Sequence, residues 1–332
     1  MVTRAGSLKN LVLREGSIPT ARPDTVLVNV KAVGLNYADL FVIMGLYSAT
    51  PKGSFIPGLE YSGVVAQSNS ADFKEGDFVI GVTKFGGYDS HIVADPAYLL
   101  KLPQDWTFEQ GAAFSVQTLT AYYALFPLGN LKPNQTVLIH SAAGGVGIQA
   151  NRIAKKFGAY TIGVVGNPSK LSVLEQEGYD HGLIRSRDFL AELKKALGGR
   201  ELNLVLEASG GKYFRYSYKA LAPMGRLVAY GSAQFTPSSD RPYYISLAWK
   251  YLFRPRVDPL TMITENKSVL AFNLIWLYEK NWLMKELISE INALHLPPPK
   301  VGHIFDFSDA HKALTAFKEG NTTGKVVLSI AE

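Results

Sequence analysis

The chain has 332 residues, 47% of them hydrophobic, with a formal net charge of +6 and no cysteine. That length suggests two domains, each able to bury a core, and the missing cysteines exclude disulfides, thiolate metal ligands and a cysteine nucleophile. The basic excess is scattered, which argues against a nucleic-acid surface; no apolar run reaches the ~18 residues of a membrane span, and the N-terminus has no signal-peptide core, so a cytoplasmic enzyme is expected.

Residues 1 to about 100 read as a mostly β domain. Val26–Val33 alternates as a strand, and further short strands are expected at Val64–Ala66, Phe78–Val82 and His91–Val93, punctuated by Gly34, Pro57-Gly58, Gly76-Asp77 and Gly86-Gly87. From Phe108 to Leu125 the pattern turns helical. Gln135–His140 then carries the short apolar run of a strand buried in a parallel sheet. Ser141–Gly147 is a Gly-rich turn. From Gly145 the residues Val146, Ala150, Ile153, Ala154 and Phe157 recur at helical spacing, and Gly158 ends the helix. Tyr160–Val165 is a second apolar strand.

Strand, Gly-rich turn, helix and strand form the context of a dinucleotide fingerprint, here Ala142-Ala143-Gly144-Gly145-Val146-Gly147. Gly144 lets a backbone approach a pyrophosphate, Gly147 lets helix and strand pack closely, and Ala142 stands where a first glycine is usual. Free N–H groups of Ala143 to Val146 and the helix dipole favour phosphate. NAD enzymes place an acid at the end of the second strand. This chain has Val165-Gly166-Asn167-Pro168-Ser169-Lys170 instead. Gly166, Asn167, Ser169 and Lys170, with Arg185 after the next strand, suit a 2′-phosphate, since charge-assisted hydrogen bonds to it contribute roughly 1.5–3 kcal/mol each. NADPH is therefore the expected cofactor.

After Lys170 the alternation continues. Helices are expected at Lys170–Gly178, Asp188–Leu197 and Tyr213–Leu221, and strands at Gly182–Ile184, Leu202–Leu206 and Arg226–Tyr230. Such alternation implies a parallel, doubly wound sheet. Ser209 and the Tyr230-Gly231-Ser232 stretch fall at strand ends, where the ligand crevice of such a sheet lies; plain turn glycine is the alternative there. Tyr243–Leu260 interleaves aromatics with cations. It reads as a lid or dimer-edge loop, with peripheral membrane contact as the alternative. A last strand is expected at Lys267–Asn273 and a long amphipathic helix at Leu274–Asn292. A helix at Ser308–Glu319 and a strand at Lys325–Ile330 close the chain; that strand's composition predicts a return to the first domain. The expected domains are residues 1–122, 123–273 and 274–332, the last rejoining the first. His91, His140 and His303 read as packing or surface histidines.

Several segments together carry a family resemblance: Gly34-Leu35-Asn36-Tyr37-Ala38-Asp39-Leu40, Gly45-Leu46-Tyr47, Pro57-Gly58-Leu59-Glu60-Tyr61-Ser62-Gly63, Thr118-Leu119-Thr120-Ala121-Tyr122, Ala142–Gly147 and Gly324-Lys325-Val326-Val327. The chain resembles a medium-chain dehydrogenase/reductase of the zinc-independent quinone oxidoreductase group. Asn266-Lys267-Ser268-Val269 with Phe272-Asn273-Leu274 is similar to the vesicle amine transport protein homologues in that group. The resemblance implies an α/β fold, with a GroES-like mostly-β catalytic domain split by a Rossmann doubly wound parallel-sheet domain, and a homodimer. It implies NADPH-dependent hydride transfer to a quinone or an α,β-unsaturated carbonyl. Zinc-dependent relatives carry Cys where this chain has Asn36 and His where it has Leu59; leucine cannot ligate and an amide is a poor zinc ligand, so no metal is expected. Glu60 then reads as a hydrogen-bond acceptor at a strand start. The resemblance places Asn36, Tyr47 and Thr120 near the nicotinamide. Asn36 would bond the ribose or the substrate oxygen, Tyr47 would donate to the developing enolate, and Thr120 would fix the carboxamide or ribose. Tyr47 as a mere pocket wall, with solvent as proton source, stays open. So do a 2-enoyl-thioester reductase and an NADP-binding protein working at a membrane or partner surface.

Overall fold

The computed structural model describes residues 1–331; Glu332, the end of the expected closing segment, lies outside the described residues. The chain divides into two units. One is Met1–Gln117, Pro237–Tyr243 and the chain from Ile275 onward; the other is Thr118–Thr236 and Tyr244–Leu274. Thr118–Tyr122, expected with the first domain, thus belong to the second unit. Strands in chain order are β1 (Val26–Gly34), β2 (Glu60–Ser68), β3 (Phe78–Val82), β4 (His91–Ala94) and β5 (Leu99–Lys101). Then come β6 (Thr136–His140), β7 (Tyr160–Val165), β8 (His181–Ile184), β9 (Leu204–Glu207), β10 (Arg226–Ala229) and β11 (Ser268–Ala271), followed by β12 (Val301–Asp306) and β13 (Lys325–Ser329).

In the first unit the sheet runs β12-β13-β1-β2-β3-β5, with β4 also paired to β1. β1 organises it. Val26, Val28 and Val30 are fully buried, and β1 pairs antiparallel with β2, β4 and β13. The pairing of Gly34 with Val327 and of Ala32 with Ser329 is the expected return of the chain's end. Leu40, Ile43, Tyr61, Val79, Leu314 and Val326 complete this core. β2 is nine residues long, extending well before the expected Val64–Ala66. Among its first residues Glu60 and Gly63 are poor strand formers, but pairing to β1 and β3 on both edges overrides that. β12 went unanticipated: it is mostly exposed, lacks clean alternation, and is held by parallel pairing to β13.

In the second unit six parallel strands run in the order β11-β10-β9-β6-β7-β8. This is the expected doubly wound sheet, with its topological switch between β6 and β9. The Gly145–Lys156 helix buries Ala150, Ile153 and Ala154 as its spacing predicts, together with Gly147 and Ile148, whereas Val146 is half-buried and Phe157 exposed. Three expected elements are interrupted. Phe108–Leu125 is two helices, Phe108–Ala112 and Ser115–Tyr123, followed by a π-helical turn at Ala124–Leu128 that contains Pro127. Leu274–Asn292 breaks into Leu274–Leu277 and Asn281–Ala293. Tyr243–Leu260 is not a loop: helices span Tyr244–Leu252 and Pro259–Glu265, the second opened by an Asp258 cap and Pro259 at its first position.

Candidate functional site

On the second unit the turn after β6 is built for close approach. A Cβ on Gly147 would lie 2.6 Å from Ala142 Cα, so only glycine lets the helix sit against the turn. Tyr179 secures the turn, its hydroxyl donating to the Gly147 carbonyl at 2.7 Å with the Ala142 carbonyl 3.2 Å away. Gly144 occupies the N-cap of the twelve-residue helix, and a Cβ there would meet only Ser141 O, at 3.3 Å. The first-turn amides of Gly145 and Val146 have no partner within the helix, so they and the positive dipole end favour an anion beside Ala143 and Gly144.

The neighbouring strand ends gather cations. Arg185, just past β8, packs over Gly166, its Nη2 3.1 Å from where a Gly166 Cβ would stand. Its Nη1 lies 3.4 Å from Ser209 Oγ, the guanidinium stands 5.9 Å over the Tyr213 ring, and buried Nε has no protein partner. Burial, and then the charge of Arg185, hold the Lys170 ammonium below the usual lysine range. Asn167 Oδ1 accepts from Ser169 N at 3.0 Å and so shapes the loop carrying Lys170. Burial raises the pKa of Glu207, at the end of β9, and Arg185 is among the groups that oppose the rise. Its carboxylate nevertheless turns onto the backbone N–H groups of Ser209 and Gly210, at 2.8 and 3.0 Å. The Tyr230-Gly231-Ser232 stretch lies against the same loop, with Ala233 N donating to Ala208 O and Gln234 N to Ser209 O, both at 3.0 Å. A backbone carbonyl, Ala208 O, lies 3.2 Å from a Cβ built on Gly231. The structure thus brings Gly166, Lys170, Arg185 and Ser209 together, with the 230–232 turn beside Ser209. Thr120 is buried in the Ser115–Tyr123 helix of this unit.

On the first unit the residues assigned by resemblance fall in a buried charged cluster. Glu60 opens β2 and is fully buried. Its Oε1 accepts from Asn36 Nδ2 at 2.9 Å, Gln117 Nε2 at 2.8 Å and Lys325 Nζ at 2.5 Å, and its Oε2 from Val116 N at 3.0 Å. Glu60 is therefore the acceptor at a strand start that the sequence suggests. Asn36 belongs to the same cluster. Nδ2 also donates to Gly34 O at 3.2 Å, while Oδ1 accepts from Gln117 Nε2 at 2.9 Å and Lys325 Nζ at 3.0 Å. Both N–H groups and both lone pairs are used within this cluster. Gly34 makes room: a Cβ there would lie 2.8 Å from Lys325 Cε and 2.9 Å from Glu60 Oε1. Burial lowers the Lys325 pKa, and Glu60 opposes that. Beside the cluster, Asp39 Oδ2 accepts from Asn36 N at 2.8 Å and from the Tyr88 hydroxyl at 3.3 Å. Tyr47 packs half-buried against the core of the same unit.

Gln117, Lys325 and Asp39 escaped assignment from sequence. The available signal was a lysine opening the apolar run Lys325-Val326-Val327-Leu328, since a lysine is almost never buried without a partner. The donor set does not fit zinc. Leu59 has no ligating atom, and Asn36 Oδ1 and Glu60 Oε1 both hold the Lys325 ammonium, a cation supplied by the chain. His140 is fully buried, with Nε2 2.8 Å from Ser217 Oγ, a packed histidine as expected.

A family model described as "Alcohol dehydrogenase GroES-like domain" matches residues 22–104, and one described as "Zinc-binding dehydrogenase" matches residues 145–261. A synaptic vesicle membrane protein VAT-1 homolog from Rattus norvegicus is 31% identical over 316 residues, covering 93% of this chain and 78% of that protein. The homolog from Danio rerio is 32% identical; the match covers 94% of this chain but only 65% of that protein's length. Among solved structures, the quinone oxidoreductase from Thermus thermophilus, described with its NADPH complex, is 30% identical with a TM-score of 0.79, covering 96% of this chain and 95% of that one. Escherichia coli quinone oxidoreductase complexed with NADPH is 25% identical with a TM-score of 0.83, covering 98% of each chain. The CurK enoyl reductase is 26% identical with a TM-score of 0.84, covering 99% of this chain and 98% of that one.

Proposed function

The chain belongs to the medium-chain dehydrogenase/reductase family, among its quinone oxidoreductase-like members, and from that premise we propose that it is an NADPH-dependent reductase of quinones or α,β-unsaturated carbonyls. The observation that carries the reading is Arg185, with its buried Nε lacking a protein partner, set beside Lys170, Gly166 and Ser209. That arrangement suits a 2′-phosphate. Gly144, Gly145 and Val146, with Ala143, hold the pyrophosphate. Lys170, Arg185 and Ser209, on a loop shaped by Asn167 and Ser169, hold the 2′-phosphate. Thr120 and the Tyr230-Gly231-Ser232 turn line the rest of the cofactor. NADPH supplies the hydride. A conjugated acceptor needs no metal, because the negative charge spreads as the hydride adds. What the chain must do is orient the acceptor and move a proton. Tyr47 is the proton donor in this reading. Asn36, locked by Glu60 and Lys325, fixes the entry of the Tyr37–Ile43 helix that precedes Tyr47.

The test is NADPH oxidation with a panel of quinones and enones; cofactor binding with no turnover on any of them counts against the reading. Asn167→Asp should move preference toward NADH, and an unchanged preference would sink the 2′-phosphate assignment. The likeness to CurK enoyl reductase favours a 2-enoyl-thioester reductase as second reading. Tyr47→Phe separates the two: it nearly abolishes enoyl reduction but spares easy quinone reduction.

The surface of the second unit also suggests association. Tyr244, Ile245, Trp249, Phe253, Leu260 and Ile263 are each at least 56% exposed, and β11 is an outer strand of its sheet. A homodimer through this region is the preferred reading. A lipid-facing surface, with Lys250, Arg254 and Arg256 among the aromatics, is the alternative. Mass in solution tests the first, and co-sedimentation with anionic vesicles tests the second. No helix among the described residues is long and apolar enough to cross a membrane.

A further inference from the structure

The break between the helices Leu274–Leu277 and Asn281–Ala293 is held from several sides. Lys84 Nζ stands 5.1 Å over the Trp276 ring and pairs with Glu279 at 2.7 Å. The Tyr98 hydroxyl lies 2.9 Å from the Tyr278 carbonyl and 2.6 Å from Asn281 Oδ1. The Tyr98 ring stacks on that of Tyr278 at 5.9 Å and 8°. These contacts fix a short interruption of a pattern that would otherwise run on as one helix. Their combined result is one ring turned inward. Tyr278 is 8% exposed, and its hydroxyl has no hydrogen-bond partner among the described residues.

A buried, unpartnered hydroxyl costs about 1–3 kcal/mol in desolvation, and one clamped near the surface is a candidate for a partner from outside the chain. The surroundings name its chemistry. Burial first, and then the charges of Glu60, Tyr47, Tyr98 and Tyr61, keep the Tyr278 hydroxyl protonated far above neutral pH. A permanent donor seeks an acceptor. Tyr61 supplies the contrast. Its hydroxyl is buried and unpartnered like that of Tyr278, but no part of Tyr61 reaches the surface, whereas Tyr278 is 8% exposed, and the Tyr61 ring lies against Gly81, where a side chain would collide.

We propose that Tyr278 is a substrate-binding residue whose hydroxyl donates a hydrogen bond to the acceptor's carbonyl or quinone oxygen, on the same unit as Tyr47. This rests on the reductase reading. As hydride adds to the conjugated carbon, the electron pair moves to that oxygen. The Tyr278 hydroxyl keeps its own proton and stabilises the charge; Tyr47 or solvent supplies the proton that completes reduction.

The experiment is Tyr278→Phe beside Tyr61→Phe, with melting temperature, NADPH affinity and kcat/KM on an enone and a quinone. Expected for Tyr278→Phe are an unchanged or raised melting temperature, unchanged NADPH affinity, and a loss of kcat/KM on the enone of roughly ten- to a hundredfold, the scale of one hydrogen bond to developing charge. Tyr61→Phe should leave kcat/KM close to wild type. The proposal is overturned if Tyr278→Phe keeps full activity, if it lowers the melting temperature along with activity, or if Tyr61→Phe loses as much. If the wild-type protein reduces no acceptor, the reductase reading fails by itself. Titration with 4-nitrophenolate, an enolate mimic, then decides for Tyr278: an absorbance shift abolished by Tyr278→Phe supports it, and equal binding or none by both proteins overturns it.

Discussion

The two units treat buried charge in opposite ways. In the first, Lys325 and Glu60 meet at 2.5 Å, and Asn36, Gln117 and the Val116 amide take up the remaining capacity of the carboxylate. In the second, Lys170 and Arg185 lie close enough for one to depress the other, Arg185 Nε is buried without a protein partner, and Glu207 spends its oxygens on backbone amides. Compensated charge serves the fold; the unpartnered Arg185 Nε is where a ligand is expected. The comparison explains why Asn36, singled out by resemblance, is a framework residue, while Arg185, reached only as a possible second cation, sits at the centre of the cofactor reading.

The contrast is broken most forcefully at Lys325. Lys325→Met leaves the Glu60 carboxylate buried without its cation and should cost about 3–5 kcal/mol of stability, measured by urea unfolding. Adding Glu60→Gln should restore much of that loss; if the double variant is no more stable than the single one, the pair is not the unit described here. Arg185→Ala is the matching change in the second unit. It removes a group without a full set of protein partners, so stability should hold. NADPH affinity should fall about ten- to a hundredfold while NADH affinity stays level, as expected for charge-assisted bonds of roughly 1.5–3 kcal/mol. Equal weakening of both cofactors would remove the 2′-phosphate assignment.

These same features mark what can be read from sequence. The Gly-rich turn is legible because its requirement is local: Gly147 must lack a Cβ to sit against Ala142, and the strand and helix around it announce themselves by period. The cations of the cofactor side are legible because a sheet of alternating strands and helices places consecutive strand ends together. The cluster around Glu60 is not, because its members lie far apart in the chain; Lys325 and Glu60 are 265 residues distant, and only the pairing of β13 to β1 makes them neighbours. The break at Tyr278 is invisible for another reason. The amphipathic spacing of Leu274–Asn292 continues across it, and the interruption comes from Lys84 and Tyr98, which local sequence does not contain.

The finest test of the comparison is acid–base. Burial pushes the Asp39 carboxyl in the first unit up from 3.8 to about 7, with Glu60 adding to the rise and Asn36 N, Lys325 and the Tyr88 hydroxyl opposing it. The folded protein therefore keeps a proton that the unfolded chain gives up, and stability falls as pH rises from about 4 towards 7. Burial, and then Arg185, push His140 in the second unit down from 6.5 to about 3. There the unfolded chain takes a proton that the folded protein refuses, and stability falls as pH drops below about 6.5. Between about pH 4.5 and 6 the two slopes oppose each other, each up to about 1.4 kcal/mol per pH unit. Asp39→Asn should leave the histidine's slope, so that unfolding free energy rises with pH relative to wild type. His140→Gln, which can keep the bond to Ser217, should leave the aspartate's slope and fall with pH. Unfolding measured across that window for all three proteins decides it: parallel profiles would mean that neither group is buried in the charge state its surroundings dictate.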